Sequence, residues 1–386
     1  MTKRILICSL LLAACSLLPA YDFGLLLDQK AELSGAGGGA VSDTDFSYNG
    51  ILVPRLGWLL GDAAELGISA GLNFQDDPWS LIPELLETGI SWRSSLLEFS
   101  LGRMDCSDPL GYVASGLFDG ARLSLGTEAG IFSAGAWYAG LLYKKRANIE
   151  MTHEEWEQNN IEPLDYGDFA GTYFAPRRFL AALGWEHPGL AGRFLARLSL
   201  IGQFDLTGAE LNSQYLVGKI AVPAGAFSLG LGGSIGLMQL AGDADAAFAA
   251  ELGLGWKGAS QGLSLAGIYA SGEGGSIAAF QPVTTNTFGN MLKPRLSGIS
   301  MLSLEYMARV QRSLSLGLSS SYFVYTGSGM GERLLGGEFF GSLFWSPFSD
   351  LSVNLGAGAF LPSLGDVAPD GDAFWRVELN AVISLF

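Results

Sequence analysis

Between Lys219 and Asp243 the chain runs for 23 residues without a charge, from Ile220 to Gly242. A helix that crosses a bilayer needs about 20 such residues, so length alone permits one. Composition argues against it. Six of the 23 residues are glycine and one is Pro223, and a helix interior loses roughly 1 kcal/mol per glycine and about 3 for a proline. The spacing has a period of two instead. Phe227, Leu229, Leu231, Ile235 and Leu237 occupy odd positions, while Ser228, Gly230, Gly232, Ser234 and Gly236 occupy even ones. Successive strand residues point to opposite faces, so one face here is apolar and the other small and polar. Pro223 to Gly225 reads as a tight turn, and residues 213–222 before it alternate in the same way. The stretch reads as two strands joined by a turn.

The same pattern recurs along the chain. Glycine makes up 54 of 386 residues, and charged residues are 16% against a usual ~25%. An apolar, glycine-rich chain with alternation throughout suits an all-β fold, an antiparallel up-and-down barrel in an outer membrane. Eighteen strands are expected, with sixteen also open because the segment 88–93 is weak. Short turns, such as those at 61, 93, 127, 222, 310 and 346, alternate with long connections. The long ones cover roughly 34–49, 76–87, 105–117, 144–176, 273–294 and 362–372. No linker separates a second domain.

The first residues have a basic start (Lys3, Arg4), an apolar run and a small-residue finish at Ala20. This is the pattern of an export signal, so residues 1–20 are assigned to a signal peptide and 21–386 to a single barrel domain. Two endings stay open: cleavage near Ala20, or acylation of Cys15 through the lipoprotein-like box Leu12–Cys15. Cys8 and Cys15 lie in this segment, so Cys106 is the one cysteine beyond it and no intrachain disulfide is expected.

The last strand, ending on Phe386, resembles the terminal-aromatic signature that the barrel assembly machinery recognises. Its register departs from the usual one. Trp375, Val377, Leu379, Ile383 and Leu385 share one parity, while Phe386 falls with Glu378, Asn380 and Ser384. Two further stretches, Leu101–Leu125 and Tyr173–Pro188, resemble segments of poorly characterised outer-membrane barrel proteins of spirochaetes. The resemblance implies fold and location, and no activity.

Little catalytic chemistry is on offer. The two histidines, His153 and His187, lack a partner at metal-ligand spacing, and no nucleophile elbow, phosphate loop or paired-cysteine motif appears. No enzyme activity, metal or cofactor is expected. Asp105, Asp108 and Asp119 read as turn formers rather than as a calcium site. The net charge of −16 includes Lys3 and Arg4, so without them it is −18. Acidic loops disfavour a nucleic-acid partner.

Charges on the face opposite the large apolar residues are the permeation candidates. The bases are Arg178, Arg193, Arg197, Lys219, Arg295 and Arg309. The acids are Glu98, Glu251, Glu305, Glu338 and Glu378. An enclosed lumen with so many ionisable groups must be wet or paired, and barrels of this size are too wide for side chains alone to fill. The bases of strands eight to ten, facing acids near the closing seam, predict a transverse field, with pairing of these groups to their immediate neighbours as the alternative. In the longest connection, Thr152 and Glu155 stand at capping-box spacing, predicting a short helix over 153–159. Glu154, Glu155 and Trp156 are therefore constriction-loop candidates, with a surface lid as the alternative. The expected function is a porin-like channel for passive diffusion of small hydrophilic solutes, in contact with outer-membrane lipid. A surface adhesin or structural barrel, or a transporter of hydrophobic substrates, stays open beside it.

Overall fold

The computed structural model describes residues 21–37, 44–76, 79–152, 155, 164–208, 211–240, 243–274, 277–328 and 331–385. Among them, eighteen antiparallel strands form one sheet that closes on itself. In chain order they are β1 (Tyr21–Ala36), β2 (Thr44–Leu60), β3 (Ala64–Asp76), β4 (Trp79–Arg93), β5 (Leu97–Ser107) and β6 (Ser115–Thr127). Next come β7 (Gly130–Tyr138), β8 (Arg178–Leu190), β9 (Phe194–Asp205), β10 (Asn212–Ala224), β11 (Phe227–Leu240) and β12 (Asp243–Lys257). The last are β13 (Gln261–Ala270), β14 (Ile299–Gln311), β15 (Leu314–Tyr325), β16 (Leu334–Phe348), β17 (Leu351–Leu361) and β18 (Phe374–Leu385). Each strand pairs with its chain neighbours, and β1 pairs with β18 to close the ring, from Leu25↔Leu385 to Ala36↔Phe374. A short helix, α1 (Phe169–Tyr173), lies in the connection after β7.

Alternation sets the two faces as expected. On β11, Leu231 is 54% exposed on the outer wall, while neighbouring Ser234 is 2% exposed on the inner one. On β18, Val377, Leu379, Ile383 and Leu385 all face outward. Trp58, Trp92, Trp185, Trp256 and Trp345 lie on the outward parity near the short-turn end of their strands. Aromatic pairs stand nearer the long-loop end, Phe179–Phe204 at 6.2 Å and Phe248–Tyr269 at 5.6 Å. In membrane barrels such rings mark the two edges of the lipid-facing band.

Several boundaries differ from expectation. Residues 76–87 are not a loop: β4 begins at Trp79 and pairs with β3 as far as Asp76↔Trp79. Pro83 makes the segment look like a connection, but proline is tolerated on a strand edge where its missing N–H has no partner to lose. Most of 34–49 is likewise strand, shared by β1 and β2. Conversely β7 stops at Tyr138, and β14 begins at Ile299, which leaves Arg295 in the preceding connection.

Candidate lumen constriction

Three long connections at one end of the barrel turn inward and pack on each other. They follow β5 (108–114), β7 (139–177) and β13 (271–298). Asp108 shapes the first, accepting the backbone N–H of Leu110 at 2.7 Å, Gly111 at 3.1 Å, and Val113 and Ala114 at 2.8 Å each. This is turn chemistry, as the sequence predicts; burial pushes the Asp108 carboxyl above its ordinary range while these four bonds oppose the shift. The loop then reaches β11, where Leu110 Cδ2 would stand 2.4 Å from a Cβ placed on Gly232. The absent side chain makes room for it.

The loops are stitched together through their backbones. Val283 N donates to Val113 O at 2.7 Å, Glu150 N to Val283 O at 3.0 Å, and Thr285 N to Asn148 O at 2.6 Å. Ser115 N donates to Thr284 Oγ1 at 2.9 Å. Val113, Leu142, Ala147, Ile149, Phe280, Val283 and Leu296 are buried together with inward residues of the wall such as Trp137, Tyr215 and Phe323. An apolar core therefore sits inside the barrel, at the level of the loops. Its signal in the sequence is the apolar content of 277–292, with Phe280, Val283, Phe288, Met291 and Leu292. A connection that apolar needs a surface to pack on.

Glu338 fixes the loop after β13 to the wall. It is 1% exposed, and its carboxylate accepts the N–H of Asn290 at 2.7 Å, Met291 at 2.9 Å and Leu292 at 3.1 Å. Arg376 Nη2 donates to Asn290 O. Arg295, in this loop, pairs with Glu150 at 3.4 Å. Arg178 is fully buried, bonded to Glu155 and Asp205 at 2.6 Å each. The capping box forms in both directions: Thr152 N donates to Glu155 Oε2 at 3.0 Å, and Glu155 N to Thr152 Oγ1 at 3.3 Å. Glu154, Trp156, His153 and most of the expected helix lie outside the described residues. Arg178, Glu338, Arg295 and Glu155 thus hold the inward loops.

The remaining candidates sit deeper or at the far mouth. Lys219, Gly232 and Glu251 are successive neighbours across β10, β11 and β12. Because Gly232 carries no side chain, Lys219 reaches over it to Glu251 at 2.7 Å. Glu32 and Glu378 stand directly opposite each other across the β1–β18 pairing. Lys30 bridges them at 3.2 and 3.3 Å, and Arg376 reaches Glu32 at 3.5 Å. Lys293 projects into the same group. Burial, Arg376 and Lys30 together push its amine below the ordinary lysine range.

At the short-turn end, Arg197 pairs with Glu186 at 3.0 Å and Glu98 with Arg93 at 2.9 Å. Ser264 Oγ donates to Glu305 at 3.4 Å, and Arg309 occupies a bulge in the β14–β15 pairing. Arg193 falls in the turn between β8 and β9 rather than in a strand. The bases of β8 to β10 are therefore matched by nearby acids, Arg178 with Asp205, Arg197 with Glu186 and Lys219 with Glu251. Local pairing takes the place of the expected one-sided basic wall.

No known family profile matches the chain, and neither does any curated protein. Solved structures do match in fold. Pseudomonas aeruginosa OccK2 (OpdF) is 13% identical with a TM-score of 0.65, over 95% of this chain and 99% of that one. Pseudomonas aeruginosa OccK11 (OpdR) is 15% identical with a TM-score of 0.62, over 95% and 96%. Acinetobacter baumannii OccAB4 is 9% identical with a TM-score of 0.60, over 94% and 98%. The chain shares its fold with these proteins along nearly its whole length.

Proposed function

We propose that this chain is an outer-membrane channel for passive diffusion of small hydrophilic solutes. One observation carries the reading. Below an apolar loop constriction, the inner wall keeps ion pairs that water still reaches, with Lys219 33% and Glu251 15% exposed at their side chains. Unpaired charge is too costly to enclose in a dry interior, and a wall of paired, hydrated charge suits polar solutes. The fold likeness to solved structures that include an outer membrane protein of Pseudomonas aeruginosa, OpdK, supports the location. The short turns then face the periplasm and the inward loops the exterior. The basic, apolar and small-residue order of 1–20 supports export, with acylation of Cys15 as the alternative to simple cleavage; mass spectrometry of the mature N-terminus separates the two. Neither the inner wall nor the loops present a catalytic constellation among the described residues.

The test is reconstitution of the refolded protein in planar bilayers. Discrete conductance steps are expected in potassium chloride. A correctly refolded barrel that leaves the bilayer silent overturns the channel.

A further inference from the structure

The barrel wall has one junction built unlike its neighbours. β4 pairs with β3 up to Trp79, but its pairing with β5 ends at Thr88↔Arg103. Residues 79–87 continue with no β5 partner. The strands part at Gly89 and Gly102. Gly102 has φ +130°, and a Cβ on Gly89 would stand 2.4 Å from Leu101 O. Above this point the carbonyls of Leu81, Pro83 and Leu85, alternate residues and hence one edge of the strand, are taken by side chains. Tyr166 Oη donates to Leu81 O, Tyr173 Oη to Pro83 O at 2.8 Å, and Arg103 Nη1 to Leu85 O at 2.6 Å. β12 also overruns its partner β13, above Ala249. There the backbone closes the edge, with Ala278 N donating to Ala246 O at 2.9 Å.

An unpaired strand edge cannot stand open in hydrocarbon, because each free polar group costs several kcal/mol. The β4 edge must be sealed; two of the three separable bonds that seal it come from tyrosines of the connection that carries α1, and the third from Arg103 of β5. The seam lies toward the long-loop end of the barrel. Arg103 and Asp119, paired at 2.7 Å, share outward parity with Leu101 and Leu123. On the inner side Glu84 pairs with Arg146 at 2.7 Å. Between the two ion pairs, Ile82, Tyr143 and Tyr173 are buried, with Leu164 and Phe169 against them.

From this arrangement we propose that the β4–β5 seam is a lateral passage between the lumen and the outer leaflet for single-chain zwitterionic amphiphiles. α1, with its own Tyr173 and the preceding Tyr166, is the closure. The apolar filling matches an alkyl chain, and ion pairs of both signs on either side match a head carrying both charges. This rests on the placement of the chain in an outer membrane as a channel.

The test uses the full chain with Cys106→Ser, in phosphatidylcholine vesicles, with a lysophosphatidylcholine carrying a photoreactive group in its chain. Crosslinks are expected in the peptides holding 79–93 and 164–177. Tyr166→Phe with Tyr173→Phe removes two bonds of about 1 kcal/mol each, so labelling rises roughly thirtyfold. Pro83→Cys with Tyr173→Cys, bridged by a short bismaleimide, abolishes it. Potassium chloride conductance stays the same in all three proteins. Labelling spread evenly around the barrel, or unchanged by the bridge, overturns the passage. Loss of conductance with the labelling pattern intact would instead count against the channel alone.

Discussion

Gly232 shows how much a single missing side chain organises. It admits Leu110 from the loop after β5 and lets Lys219 meet Glu251 across it. Gly232→Ala places a Cβ 2.4 Å from Leu110 and 2.8 Å from Glu251. The overpacking is expected to cost about 1–3 kcal/mol, read as a lower unfolding midpoint in urea. Gly230→Ala, with nothing within 4 Å of the new Cβ, is expected to change it little. Glu338 is the second such residue. Glu338→Ala removes the acceptor of three N–H groups, of which that of Met291 is buried, and a buried one left without an acceptor costs about 1–3 kcal/mol. The loop 271–298 should then become cleavable by protease in the folded barrel, and Glu338→Gln should show a smaller effect. Lys293 adds a pH dependence. Its folded pKa is depressed, so the penalty for holding it charged is fully present at low pH. It is relieved as pH rises through the folded value toward the ordinary one. Stability should climb over that alkaline interval in the parent, and Lys293→Met should flatten the climb.

At the level of elements, alternation made the fold legible, because a strand between lipid and lumen must repeat every two residues. Ser228 and Gly230 were readable as lumen-facing, and Leu229 and Leu231 as lipid-facing, from β11 alone. Single cysteines there, after Cys106→Ser, should react with a water-soluble thiol reagent at the first two positions and not at the second two. Leu231→Arg should destabilise the barrel by about 2–4 kcal/mol if it lies at the midplane, measured by urea unfolding in vesicles. What escaped the reading were interactions distant in sequence. Periodicity does not say that Pro83 lies on a half-unpaired edge sealed by Tyr166 and Tyr173. Nor does it say that Val113 and Val283, 170 residues apart, share a hydrogen bond. The site suffered in the same way. The face of Arg197 and Lys219 was readable, but their partners Glu186 and Glu251 depend on strand register.

For the whole molecule, the proposed channel makes local pairing of inner charges the expected source of selectivity. Lys219→Met frees Glu251 in the lumen, so the reversal potential in a salt gradient should move toward cations. Glu251→Gln should move it toward anions. The double variant should return close to the parent, because the two groups act as a pair. Three unrelated reversal potentials would remove this ion pair from the permeation path.

The clasp formed by the loop after β13 also bears on how the barrel finishes folding. β1 and β18 meet across nearly the full chain length, the slowest kind of contact to bring together. The loop touches both sides of that junction from within. Glu338 holds it by Asn290, Met291 and Leu292, Arg376 of β18 grips Asn290, and Lys293 faces Glu32 of β1. The β1 part of its docking surface comes into place only once the ring is shut. A cylinder that zips one register out would therefore keep the loop on Glu338 and Arg376 but move Glu32 away from Lys293, leaving the bolt half engaged.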